Sequence, residues 1–271
     1  MEAFVTLDAW SAGARLVIVL AQLASNARGD AETTAAHLAS VLAEMGFARR
    51  LLADGMPLPD LDKAIGRALL VARKSSAKQS VLSPELVKLA TTDRALTAPA
   101  LLRALSGGDL RAEVLSAIHA RADEIGAPLD DPRVGQTMQA PLAAENAPLN
   151  VGFRLASKLK HADVTTRHVV TGMMNAYALT KNEKFLEFAE EAAAIAERLQ
   201  STLDRTTPRR EGATVVWSPR LVGAICAGHA AVGKELFFGT CFRECFEGDP
   251  DTAAARDLMN RIVAKGATRI E

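Results

Sequence analysis

The residues best suited to chemistry fall into a few clusters. Gly228-His229-Ala230-Ala231-Val232-Gly233-Lys234 matches the first seven positions of a phosphate-binding loop. The eighth position is Glu235, where a Ser or Thr hydroxyl would hold magnesium, and the segment ahead reads as helix rather than as the buried strand such a loop follows. A carboxylate there would repel the phosphates, so the match is a coincidence of composition. Cys241 and Cys245 stand one helical turn apart, with Glu244 beside them and His229 upstream. Two thiolates one turn apart can share a metal, but zinc needs further ligands and the chain has no CxxC pair. Packing of small cysteines beside Phe237, Phe238, Phe242 and Phe246 accounts for them better. His37 and His168 could serve as general bases, yet neither has a Ser, Cys or carboxylate at a recognised catalytic spacing. Asp130-Asp131 and Glu190-Glu191 read as solvated carboxylate pairs, and Arg205 with Arg209-Arg210 as a solvated basic loop.

The two histidines have a different explanation, because each belongs to a motif that occurs twice. Thr34-Ala35-Ala36-His37-Leu38 is echoed by Thr165-Thr166-Arg167-His168-Val169. Threonine is a helix N-cap, accepting a hydrogen bond from a first-turn N–H. A histidine three residues later is placed to bond back to the helix start. Repetition sets architecture before any single residue is read, and here it implies a duplicated helical unit.

The elements that would carry these motifs are helices. Apolar residues make up 49% of the 271, led by Ala and Leu, while aromatics are 4%, which favours helix over strand throughout. The periodicity predicts helices over 12–27, 61–72, 111–125, 151–160 and 183–203, and a stripe of Leu38, Val41, Leu42 and Met45 interrupted at Gly46. Ser83-Pro84 and Ser218-Pro219 are helix starts with Ser as cap and Pro at the first position; Thr97-Ala98-Pro99 opens a short helix through Leu105, broken by Gly107-Gly108. Lys74 to Ser80 reads as a small polar linker. Between Ala127 and Asn150 prolines and polar residues replace the periodicity, and Gly126 ends the helix before them. The expected organisation is all-α: a helical domain over 1–126, a Pro-rich linker over 127–149, and a second helical domain over 150–271.

These motifs resemble the Clp N-terminal repeat, the module at the front of Clp-type AAA+ unfoldases. Thr34-x-x-His37-Leu38 and Thr165-x-x-His168-Val169 match its first repeat. Leu82-Ser83-Pro84-Glu85-Leu86 with Thr97-x-x-Ala100-Leu101-Leu102 resembles the second, and Trp217 to Leu221 with Gly239-Thr240-Cys241-Phe242 is a weaker further copy. The resemblance covers most of 10–126 and 150–263, with no ATPase module following. It implies tandem helical domains that bind a protein or peptide, with a Clp ATPase, its protease or their substrates as partner. Thr34, His37, Thr97, Thr165 and His168 would then be structural caps, with no catalytic, cofactor or metal residue. In unfoldase N-domains that read phosphorylated arginine, a glutamate precedes the motif histidine; here those positions are Ala36 and Arg167, and an arginine cannot serve as that anion.

Composition narrows the alternatives. With 32 basic and 32 acidic residues the chain carries no electrostatic case for nucleic acid or an anionic membrane. Leu16 to Leu23 is too short for a span, and the acidic Glu2 and Asp8 ahead of it argue against a secretory signal. Cys226, Cys241 and Cys245, odd in number and clustered, argue against a disulfide framework and for the cytoplasm. Two other readings stand beside the binding module: a structural subunit of a bacterial assembly, and an enzyme on an unrecognised helical fold.

Overall fold

The computed structural model describes residues 7–76, 79–92, 95–107, 110–140, 147–209, 215–231, 237–247 and 249–266. The fold is all-α, with fifteen α-helices and four two-residue strands among these residues. Contacts divide the chain into two units, 1–135 and 136–271.

In unit 1, α1 (Ala12–Arg28) begins where the Ser11 side chain accepts from the Ala14 amide, and ends at Gly29, whose φ of 69° is the left-handed conformation glycine adopts freely. β1 (Glu32–Thr33), α2 (Ala35–Glu44), α3 (Gly46–Ala53) and α4 (Leu58–Leu70) follow. The chain then returns through β2 (Val81–Leu82) to α5 (Pro84–Thr92), α6 (Ala98–Ala104), α7 (Ala112–Ala120) and α8 (Ala122–Leu129). The β1–β2 pair is parallel, Glu32 opposite Val81 and Thr33 opposite Leu82. A parallel pair needs a long crossover, which α2–α4 supply. Leu38, Leu42, Leu52, Leu61, Leu86, Leu101 and Ile118 are fully buried between these helices. Each contributes about 1.5–3 kcal/mol by leaving water.

Unit 2 has a similar order: α10 (Ala147–Leu159), β3 (Asp163–Val164), α11 (Thr166–Ala178), a 3₁₀ segment (Glu183–Phe188), α12 (Ala189–Thr206), β4 (Val216–Trp217) and α13 (Pro219–Ala230). Then come α14 (Phe237–Phe246), a short 3₁₀ turn (Pro250–Thr252) and α15 (Ala253–Ala264). β3 and β4 are again parallel, Asp163 opposite Val216 and Val164 opposite Trp217. Lys160, at φ 57°, takes the left-handed place after α10 that Gly29 takes after α1. α10 and α11 cross closely: a Cβ on Gly152 would lie 2.7 Å from Val169, and one on Gly172 would lie 2.9 Å from the Val151 backbone.

Three expectations from sequence are corrected. The helix over 111–125 is two helices, α7 and α8, and Gly126 lies inside α8 rather than ending it. There glycine permits contact instead of breaking the helix: a Cβ on it would stand 2.4 Å from the Pro99 nitrogen. The stretch over 127–149 holds α9 (Pro132–Gln139) and the start of α10, with Leu129 and Val134 buried. Its residues 141–146 lie outside the described residues, and Pro128 is accommodated in the last turn of α8. The helix over 183–203 begins as a 3₁₀ segment, whose threefold repeat places Phe185 and Phe188 on one face, and both are buried. The polar stretch from Lys74 to Ser80 is fastened at both ends, by the Asp30–Lys74 bridge and by Ser80, whose carbonyl accepts from Gln22 and whose amide donates to Asn26. Gly108 and Arg210 lie outside the described residues.

Candidate functional site

Parallel strands deliver their following helices to the same edge, so each unit has two helix starts side by side. In unit 1 these are the starts of α2 and α5. The Thr34 amide donates to Nδ1 of His37 at 3.1 Å, which leaves the ring proton on Nε2, 3.0 Å from Asp30 Oδ2. Asp30 is buried and also accepts from Arg28 and Lys74. Burial pushes its carboxyl up, but the hydrogen bonds from Lys74, His37 and Arg28 outweigh that and hold it at about 2. Burial pushes His37 down, against the pull of Asp30. Both ring nitrogens are engaged, so the geometry makes His37 a brace between helix start and strand.

Unit 2 repeats the brace with one change. The Thr165 amide donates to His168 Nδ1 at 3.1 Å, and His168 Nε2 meets His161 Nδ1 at 2.9 Å. Asp30 and His161 each stand seven residues ahead of the motif histidine, so an imidazole replaces the carboxylate. His161 Nε2 lies 3.6 Å from Asp204 Oδ1. Burial, helped by the neighbouring ring, pushes His168 down to about 3. The third cap, Thr97, accepts from the Ala100 amide at 3.3 Å.

The paired starts of α2 and α5 border a cavity of about 270 Å³, lined by Glu32, Thr34, Ala36, Ser83, Glu85 and Leu110 among others. Glu85 is positioned by Ser106, whose amide and hydroxyl donate to its Oε1 at 2.6 and 3.0 Å. In unit 2 the place of Ala36, two residues after the capping threonine, belongs to Arg167. Its guanidinium is gripped by Asp249, at 3.2 and 3.0 Å, and by Asp251 at 2.9 Å. Those aspartates lie on the segment after α14, as Leu110 lies on the segment after α6.

The remaining clusters resolve simply. Cys226, Cys241 and Cys245 are buried free thiols, and the Cys241 hydrogen bond, with burial behind it, pushes Cys245 well above its ordinary value. His229 bonds to Thr137 at 2.8 Å. Among the described residues no group of three or more His, Cys, Asp or Glu could hold a metal. Of the phosphate-loop match, residues 232–236 lie outside the described residues, and Gly228 is within α13. Asp130 is not the solvated acid the sequence suggests: its two oxygens accept from the amides of Gly13, at 3.1 Å, and Ala98, at 2.8 Å, capping α1 and α6 at once. Asp131 holds Arg133, and Glu191 pairs with Arg261. Arg205 turns back along its own helix. Among the described residues no helix is long and apolar enough to cross a membrane.

Comparison with protein-family profiles, curated proteins and solved structures finds no match for this chain.

Sequence reasoning identified the caps but missed Asp30, Glu32 and Glu85. The available signal was position: Glu32 and Glu85 flank the two caps Thr34 and Ser83, on either side of the same strand edge.

Proposed function

We propose that this chain is a non-enzymatic protein-binding module, similar in plan to the N-domains of Clp unfoldases, acting as an adaptor or modulator of a Clp chaperone or protease. Its mechanism is docking, and no catalytic residue, cofactor or metal is assigned. The observation that carries the reading is the unit 1 cavity, compared with what unit 2 has at the matching sequence position. Unit 2 has Arg167 in the first turn of α11, its guanidinium held by the carboxylates of Asp249 and Asp251. Unit 1 has Ala36 at that position, with an open cavity and the carboxylates of Glu32 and Glu85 on its wall. A basic side chain from a partner supplies what unit 1 lacks, and charge-assisted hydrogen bonds to carboxylates are the strong kind.

The test is an NMR titration of the whole isotope-labelled chain with N-acetyl-arginine amide, using N-acetyl-citrulline amide as the neutral control of similar shape. The arginine compound shifts the amides of Glu32, Ala36 and Glu85, and citrulline does not. Equal responses to both compounds, or none at these residues, would overturn the reading.

A further inference from the structure

Two further surfaces, one on each unit, share no lining residue with that cavity. In unit 2, α11 and α12 flank a groove of about 680 Å³, with Ala178, Leu179 and Ala193 as its apolar lining and Glu197 and Asp204 as its acidic wall. Leu179 is 80% exposed. Glu197 has no hydrogen bond or ion pair among the described residues, and Arg205 on the same rim donates to Ser201 and Thr202 of its own helix.

Unit 1 carries the complementary relief. On α4, Lys63, Arg67 and Leu70 follow at i, i+4 and i+7, on one exposed face. Leu70 and the adjoining Val71 are 80% and 72% exposed, and Arg73 extends the basic ridge. Neither Lys63 nor Arg67 has an ion-pair partner among the described residues. The nearby Asp62 is committed to Arg49 at 2.8 Å, and Asp60 stands a turn away at the start of the helix.

We infer that a second copy of this chain is the occupant of the groove: the α4 ridge of one copy docks between α11 and α12 of another. Leu70 and Val71 cover Leu179 and the alanines, while Lys63 and Arg67 meet Glu197 and Asp204. This is a helix laid in a groove, read through apolar and charged anchors one and two turns apart. Ridge and groove belong to different units, so the contact is head-to-tail. Every copy that uses its ridge keeps a groove open, and association continues into a ring or an open chain. The inference is independent of the unit 1 cavity and goes beyond the docking function proposed for it.

Sedimentation velocity on the full chain, from about 1 to 500 µM at low salt, tests this. The expected result is a mass that grows with concentration, with association weakened at least about tenfold by Glu197→Lys or by Arg67→Glu. An equimolar mixture of those two variants associates again with the two chains alternating, because the ridge of each is complementary to the groove of the other. The double variant in a single chain associates again. Circular dichroism and Tm, unchanged for these exposed positions, separate loss of docking from loss of fold. A chain that stays monomeric, association indifferent to both substitutions, or a monomer that takes a synthetic basic amphipathic helix into the groove would each overturn self-docking.

Discussion

His161 is where the two units differ most in chemistry. Its imidazole faces His168, whose folded pKa of about 3 lies far below the ordinary 6.5. The unfolded chain takes up a proton near pH 6.5 that the folded unit refuses, so His168 contributes stability that is fully present above that pH and lost as pH falls towards 3. Asp30 in unit 1 is also depressed, to about 2, but from 3.8, so its contribution survives down to about pH 4. Burial lowers His37 as well, yet Asp30 and its hydrogen bond offset that in part, so the loss in unit 1 over pH 4–6.5 is the smaller one. Restoring the carboxylate by His161→Asp, with Arg209 bridged to that residue as Lys74 is to Asp30, moves the acid unfolding midpoint to lower pH. Acid titrations followed by circular dichroism check it; an unchanged midpoint contradicts the account. A second test concerns backbone strain. Lys160 sits at φ 57°, which costs a non-glycine residue about 1 kcal/mol, so Lys160→Gly should raise Tm slightly where a Gly inside a helix would lower it.

At the scale of elements, capped helix starts were legible and the breaks in the middle of the chain were not. Thr97, Thr165 and Ser218 begin helices because cap chemistry is local, one oxygen and an amide three residues on, and Thr34 is held as locally, by its amide to the His37 ring. The middle of the chain misled because Gly and Pro are breakers only when nothing packs against them. Gly126 is retained inside α8 so that Pro99 can approach, a contact 27 residues away in sequence with no local signature. Gly126→Ala is therefore expected to lower stability by about 2 kcal/mol or more, since the nearest atoms are backbone that cannot yield. Chemical denaturation measures this, and a loss under about 0.5 kcal/mol would mean the helices separate without cost. The strand pairs escaped notice for a related reason. Two residues are too few to show alternation, yet their parallel pairing is what brings the cavity-lining Glu32 and Glu85 to one edge.

Across the whole molecule the two units follow a similar element order. Each unit sets two capped helix starts along one edge of a parallel strand pair, and the units differ two residues after the first capping threonine, at Ala36 and Arg167. Unit 1 has Ala36 at a cavity that Glu32 and Glu85 also line, while at the matching position unit 2 has Arg167, paired with Asp249 and Asp251. Ala36→Arg should convert the first arrangement into the second, filling the cavity from within. The direct measurement is affinity capture from a lysate of the native source with two tagged baits, wild type and Ala36→Arg, quantified side by side by mass spectrometry. The account predicts that wild type recovers a Clp ATPase, its peptidase or their substrates, and that these fall at least about tenfold on an Ala36→Arg bait that melts like wild type. Equal recovery on both baits, or no Clp component on either, would contradict it.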